Sequence, residues 1–223
     1  MVERAVLSDW KTNSMNFIAK MLSREDRFAA LLVAGASEVH ATVKALDQLI
    51  SCSNPAISLA AFVQARAKEQ EIKGQIDGLL CQRANGRLDH GDVAVLALGL
   101  SRINKTIRRF AERHLLYANQ ISSSRFEEPL GMLDEAAQTM QRMVAELVDG
   151  SKVADAKHHN DVLQGIKGKA DRLFTAAIVE LYQGQEEPMT AIMLRDLYEV
   201  LDRIFDRFRN TGNDILQIVL KQS

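Results

Sequence analysis

Cysteine, proline and aromatic residues are scarce in this chain of 223 residues, which has two Cys, three Pro and 5% aromatic residues. Cys52 and Cys81 stand too far apart for a zinc pair, and no signal-peptide pattern precedes them. A reducing cytoplasm is therefore the expected compartment. Because the few prolines accompany abundant Ala, Leu, Arg, Gln and Glu, the composition favours helix over strand and predicts an all-α protein.

An excess of one charge and a long apolar run are missing as well. The formal net charge is −1 and the sequence pI is about 6.5. Nonspecific nucleic-acid binding needs a clustered excess of Lys and Arg, so nucleic acid is not an expected partner. No uninterrupted apolar run approaches the length of a transmembrane helix, and we predict that the chain does not span a membrane.

Signatures of catalysis are not found in the sequence. It has no GxSxG elbow, no glycine-rich cofactor fingerprint and no HExxH motif. His158, His159 and Asp161 cluster, but adjacent histidines point about 100° apart on a helix, so we interpret them as exposed residues. Residues 165–169 (GIKGK) lack the Walker spacing and hydroxyl; Gly168 and its counterpart Gly74 instead suggest close helix crossings. These observations predict a non-catalytic protein.

Helical periodicity divides the chain into six helices. Helix one is expected from the N-cap Ser23 to about residue 50, and helix two from about 57 until Asn85 and Gly86 close it. Helix three follows the N-cap Asp89 and extends to about 119. Helix four carries Pro129 in its first turn, helix five covers about 153–182, and helix six follows residues 184–188. Residues 1–22 form a lead-in segment without a strict period.

The six helices are predicted to form two repeats of three, over residues 23–121 and 125–223. Residues 72–80 (IKGQIDGLL) correspond to residues 166–174 (IKGKADRLF), 94 positions later. A weaker match relates residues 98–105 to residues 199–206 at an offset of 101. Matched positions on corresponding helices suggest duplicated units, although helical sequences also imitate one another by chance.

The sixth helix carries two opposed stripes. Its apolar or near-apolar stripe recurs in steps of three and four, at Leu194, Leu197, Leu201, Ile204, Phe208, Thr211, Ile215 and Ile218. Its polar stripe contains Glu199, Asp202, Asp206, Asn210 and Asn213. We expect the apolar stripe to anchor the second repeat, while the polar stripe is either a solvated, ion-paired face or a binding site.

Three short motifs carry a family resemblance: residues 22–28 (LSREDRF), 88–93 (LDHGDV) and 197–206 (LYEVLDRIFD). With this order and spacing the chain resembles the PhoU-like phosphate transport regulators, and more narrowly the small accessory proteins of Pit-type inorganic phosphate permeases. The resemblance implies an all-helical bundle of two three-helix repeats, cytoplasmic and compatible with a peripheral position at the inner face of the membrane. It further implies a role in phosphate uptake through contacts with a permease or signalling partner.

The resemblance also implies four Glu/Asp-x-x-x-Asp motifs that hold metal ions, which this chain matches only in part. Asp202 and Asp206 satisfy the last motif, and Asp171 remains of the third, in which Lys167 replaces an acid. The first motif is reduced to Lys73 and Asp77, and the second to Ser101 and Lys105. Ammonium groups repel a cation, so the departure counts against metal. The remaining metal candidates are Asp171, Asp202 and Asp206.

A basic stripe on the third helix takes the place of the second motif. Its members are Arg102, Lys105, Arg109 and Arg113. This stripe either pairs with the acidic stripe of the sixth helix, contacts a permease loop, a phosphate ion or anionic headgroups, or is an ordinary charged surface.

The function expected from these residues and the resemblance is that of a non-catalytic regulator or accessory protein of phosphate transport. The alternative is a helical protein that stores or senses a divalent or ferric ion through its residual acidic motifs. Unburied apolar stripes would favour self-association, and we expect a homo-oligomer.

Overall fold

The structure is a computed structural model, and it describes residues 24–51, 55–80, 89–184 and 186–223. Within these ranges the chain forms six α-helices and no strand, which confirms the predicted all-α class. The helices are α1 Arg24–Ser51, α2 Pro55–Leu80, α3 His90–Tyr117, α4 Glu127–Asp149, α5 Val153–Tyr182 and α6 Pro188–Lys221. The lead-in segment, Ser23, Cys52, Cys81, Asn85 and Gly86 lie outside the described residues.

Local sequence accounts for several helix boundaries. Gly150 ends α4 with a φ of 101°, a left-handed conformation that glycine adopts without steric cost. Pro129 lies in the first turn of α4, where its missing N–H has no intrahelical partner to lose. Glu187 caps α6 by accepting a hydrogen bond from the Thr190 amide at 3.0 Å, and Pro188 follows it.

The six helices share one hydrophobic core. Helices α1, α2 and α3 contact one another, as do α4, α5 and α6, while α1–α4 and α3–α6 contacts join the two sets. Every member of the predicted apolar stripe of α6 is buried. This arrangement places α5 and α6 side by side, and α6 also packs against α3. The predicted duplication and its boundaries stay a prediction.

The serine-rich segment between the halves is anchored to the core. Residues Ser123–Phe126 form a 3-10 turn, and the Phe126 side chain is fully buried. Its ring makes edge contacts with Phe110 and His114, at centroid distances of 5.6 and 5.5 Å. The aromatic packing therefore ties the connection between the halves to α3.

Close helix crossings occur at other glycines than those expected. A Cβ built at Gly74 meets no atom within 4 Å, and one at Gly168 meets only Arg172 at 3.8 Å, so that expectation was wrong. The tight positions are Gly99, where a Cβ would lie 2.7 Å from Thr211 Oγ1, and Gly212, where it would lie 2.6 Å from Leu163 Cδ1. The α3–α6 and α5–α6 crossings thus depend on these two glycines.

One helix in the described part of the chain, over Asp26–Ser51 in α1, is long and apolar enough to cross a membrane by length and composition. Core helices of globular proteins pass the same test. In this bundle α1 contacts α2, α3 and α4, and its polar groups have partners there: His40 Nε2 lies 3.0 Å from Asp134, and Lys44 Nζ lies 2.9 Å from the same carboxylate. These contacts are those of a core helix.

Candidate functional site

A buried lysine forms ion pairs with three carboxylates between α5 and α6. Lys167 Nζ lies 2.5 Å from Asp171 Oδ1, 2.6 Å from Asp202 Oδ1 and 3.4 Å from Asp206 Oδ1. The lysine and Asp171 are one turn apart on α5, and the two other aspartates are one turn apart on α6. The adjacent helices therefore point all four groups at one place, which we call the Lys167 cluster.

The ammonium group of this cluster is buried, whereas its carboxylates are partly open. The Lys167 side chain is 8% exposed, against 53% for Asp171 and 36% for Asp202 and Asp206. Burial by itself lowers the pKa of Lys167, but the hydrogen bonds to Asp171 and Asp202 and the charges of Asp202 and Asp206 together raise it above its ordinary value. Lys167 is therefore charged at physiological pH.

The three metal candidates from the sequence are thus brought together, around a position that an ammonium group occupies. Among the residues that the structure describes, no group of three or more His, Cys, Asp or Glu is arranged to hold a metal ion. An ion at this place would have to displace the Lys167 side chain, to which all three carboxylates are directed. Metal binding by Asp171, Asp202 and Asp206 stays a prediction.

A second cation–carboxylate contact lies in the first half, and its ion pair is formed by residues that the motif comparison did not single out. Glu69 on α2 pairs with Arg108 on α3 and accepts a hydrogen bond from Ser101 Oγ at 2.8 Å. Both ion-pair side chains are largely buried. Lys73 and Asp77, the residues left of the first motif, are exposed. Here too a cation–carboxylate contact joins two neighbouring helices, but α2 supplies the acid and α3 the cation.

The basic stripe of α3 separates into two kinds of residue. Arg113 pairs with Asp196 on α6, and the charge of Arg102 acts on Asp214 of the same helix. Lys105 and Arg109 are exposed and have no ion pair in the described part of the chain. The expected contact of this stripe with Asp202 and Asp206 is not found, because those carboxylates pair with Lys167 and, for Asp206, also with Arg209 at 3.1 Å.

Histidines contribute to packing and ion pairs. His158 and Asp161 are exposed, as predicted. The same prediction was wrong for His159, whose side chain is only 14% exposed because it packs towards α4, where Nε2 lies 3.1 Å from Glu146. His114, which the sequence did not distinguish, is buried between the rings of Phe110 and Phe126. Burial lowers the pKa of His114, because the imidazolium form would lose its hydration there.

The fold and these sites define an all-helical protein whose polar clusters join helices. No protein-family model matches the chain. Over 219 residues, 93% of this chain and 99% of the relative, it is 25% identical to a protein named "Putative pit accessory protein" from Rhizobium meliloti (strain 1021). It is also 20% identical to the UPF0111 protein YkaA of Bacillus subtilis (strain 168), over 61% of this chain and 66% of that protein. The resemblance to PhoU-like Pit accessory proteins is thereby confirmed.

Proposed function

We propose that this protein is a non-catalytic accessory protein of inorganic phosphate transport, acting by binding a Pit-type permease or another membrane-associated transport partner. The observation that carries the proposal is the similarity to the Rhizobium meliloti relative, which extends over nearly the whole of both chains. The charges of Lys167 and Arg108 are used inside the bundle, where they hold neighbouring helices together, so contact with a partner would fall to other, exposed residues.

The candidate contact residues are the exposed cations of α3. Lys105 and Arg109 have no ion pair among the described residues, so a partner's anionic groups can reach them without breaking an existing contact. Arg113 already pairs with Asp196, and the charge of Arg102 acts on Asp214, so these two cations are less available to a partner.

Deletion of the gene followed by complementation tests the proposal. Uptake of radiolabelled phosphate should change on deletion and return with the wild-type gene, whereas uptake of sulfate should not change. The permease should also co-purify with the tagged protein from detergent-solubilised membranes. Unaltered phosphate uptake at both low and high external phosphate would contradict the proposed function.

A further inference from the structure

The outer face of the α3–α6 pair combines free cations with exposed apolar side chains. Arg113 pairs with Asp196 near one end of the contact, and Lys221 Nζ lies 2.8 Å from Asp92 Oδ1 near the other, so the two helices are antiparallel neighbours. Counting inwards from these pairs places Arg207 of α6 opposite residues 102–106 of α3. The cations Lys105, Arg109 and Arg207 consequently lie in the middle of this pair.

These three cations differ from the acids around them. All three are exposed, and none has an ion pair in the part of the chain that the structure describes. Some neighbouring acids are engaged: Asp206 contacts Lys167 and Arg209, and Glu199 lies 3.1 Å from Arg195 and 3.8 Å from Arg203. The charge of Arg102 acts on Asp214, and Glu112 is an exposed acid without an ion pair among the described residues. The middle of the face therefore presents more positive than negative charge, with three unpaired cations against Glu112, although the whole chain has a net charge of −1.

Apolar side chains flank the positive centre at both ends. Leu98 is 47% exposed, and Leu116 is 76% exposed on the same side of α3, about 27 Å further along the helix axis. Ile192 of α6 is 63% exposed, in the turn before Asp196, which pairs with α3 next to Leu116. Large aliphatic side chains exposed to this extent lose contact with water if they enter the headgroup boundary of a bilayer.

From this geometry we infer that the outer face of α3 and α6, with Lys105, Arg109 and Arg207 at its centre and Leu98, Leu116 and Ile192 at its ends, docks on an anionic lipid bilayer. Cations near an anionic leaflet are attracted to it, and aliphatic side chains beside them enter the interface. The inference rests on the proposed function, because an accessory protein held at the bilayer is held beside its transport partner. Glu112, an exposed acid at the α2 edge of this face, reduces the attraction. Because the charges are exposed, salt screens the attraction that remains.

Vesicle co-sedimentation of the full-length protein tests the inference. The protein should sediment with vesicles that contain phosphatidylglycerol and remain in the supernatant with phosphatidylcholine alone. Binding should weaken as the salt rises from about 0.1 M to about 1 M, because the Debye length falls from about 10 Å to about 3 Å. Equal binding to both vesicle types, or no binding to either at about 0.1 M salt, would overturn the inference.

Matched charge reversals locate the surface. The triple variant K105E/R109E/R207E should lose about tenfold or more of its affinity for anionic vesicles. The control K157E/K169E/R172E reverses three exposed cations of α5 that also have no ion pair among the described residues, and it should bind as the wild type does. Replacing Leu98, Leu116 and Ile192 by Gln should weaken binding without changing its salt dependence. Equal losses in both triple charge variants would contradict docking through this face.

Phosphate uptake in the same variants separates the two proposals. If uptake depends on Lys105, Arg109 and Arg207 while the wild type does not bind vesicles, the face contacts a protein segment; lipid docking is then wrong and the accessory function stands. If vesicle binding follows the expected pattern while gene deletion leaves phosphate uptake unaltered, docking stands and the accessory function is wrong.

Discussion

Lys167 Nζ on α5 and Asp202 Oδ1 on α6 lie 2.6 Å apart, although 35 positions separate the residues in the chain. The same ammonium reaches Asp171 and Asp206, so one buried cation balances carboxylates from two helices. Removing one member of such a group leaves the others without compensation, which is more costly than the net value of the pair itself.

Substitution of Lys167 by Met should destabilise the protein by about 1–3 kcal/mol, because three clustered carboxylates would lose their common cation while remaining partly hydrated. Urea denaturation followed by circular dichroism measures the change in the free energy of unfolding. Lys169→Met is the matched control: Lys169 is exposed on the same helix, and its loss should cost about 0.5 kcal/mol or less. Equal values for the two variants would contradict the structural role of Lys167.

The Lys167 ammonium occupies the place among the three carboxylates where a metal ion would bind, so replacing Lys167 should change metal binding. We expect no stoichiometric metal in the wild-type protein after dialysis, whereas Lys167→Glu should take up a divalent ion such as Mn²⁺, since a fourth carboxylate then replaces the ammonium. Elemental analysis and a Mn²⁺-dependent rise in the melting temperature report binding. If instead the wild type carries metal that is lost with D202N and D206N, the ammonium interpretation is wrong and the metal-binding alternative gains support.

The buried His114 predicts a dependence of stability on pH. Its folded-state pKa is lowered by burial, so between that value and the ordinary pKa of about 6.5 the unfolded chain binds more protons than the folded chain. The contribution to stability is complete above about pH 6.5 and is lost as pH falls through the folded-state pKa, with a slope of up to about 1.4 kcal/mol per pH unit.

His114→Phe keeps an aromatic ring beside Phe110 and Phe126 but cannot titrate. The urea midpoint of the wild type should therefore fall more steeply between pH 7.5 and pH 5 than that of this variant. Comparing the two proteins cancels the titration of other groups, including Glu38, whose pKa burial raises. Parallel curves would exclude His114 as the source of the effect.

Glycine-to-alanine substitutions should separate the close crossings from the open ones. At Gly212 a Cβ would lie 2.6 Å from Leu163 Cδ1 and 3.0 Å from Asn160 Oδ1, so Ala should cost about 1–3 kcal/mol through overpacking. At Gly74 no atom lies within 4 Å, and Ala should stabilise the helix by about 0.5–1 kcal/mol. Thermal and urea denaturation measure the change in stability of each variant. A stabilising Gly212→Ala would show that the α5–α6 crossing is not tight.

The sequence by itself determined the helices and the sides that they bury. All eight residues of the periodic apolar stripe of α6 are buried, and α5 covers the predicted residues, because hydrophobic periodicity and end signals act within a few turns of one helix. Short motifs also indicated the resemblance to Pit accessory proteins, which the Rhizobium meliloti relative confirms. The three acidic candidates came from the motifs that the resemblance implies, which did not show that Lys167 is their common partner.

Only the tertiary structure decided which helices face one another and therefore what each charged side chain contacts. In the sequence, Lys167 stands where the motif expects an acid. In the bundle, its buried ammonium group contacts Asp171, Asp202 and Asp206. The prediction of close helix crossings at Gly74 and Gly168 was wrong for the same reason, since it too depended on which helix is the neighbour. Periodicity tells which side of a helix is apolar, whereas the neighbour at a given polar or glycine position depends on contacts between residues far apart in the chain, which no local pattern encodes.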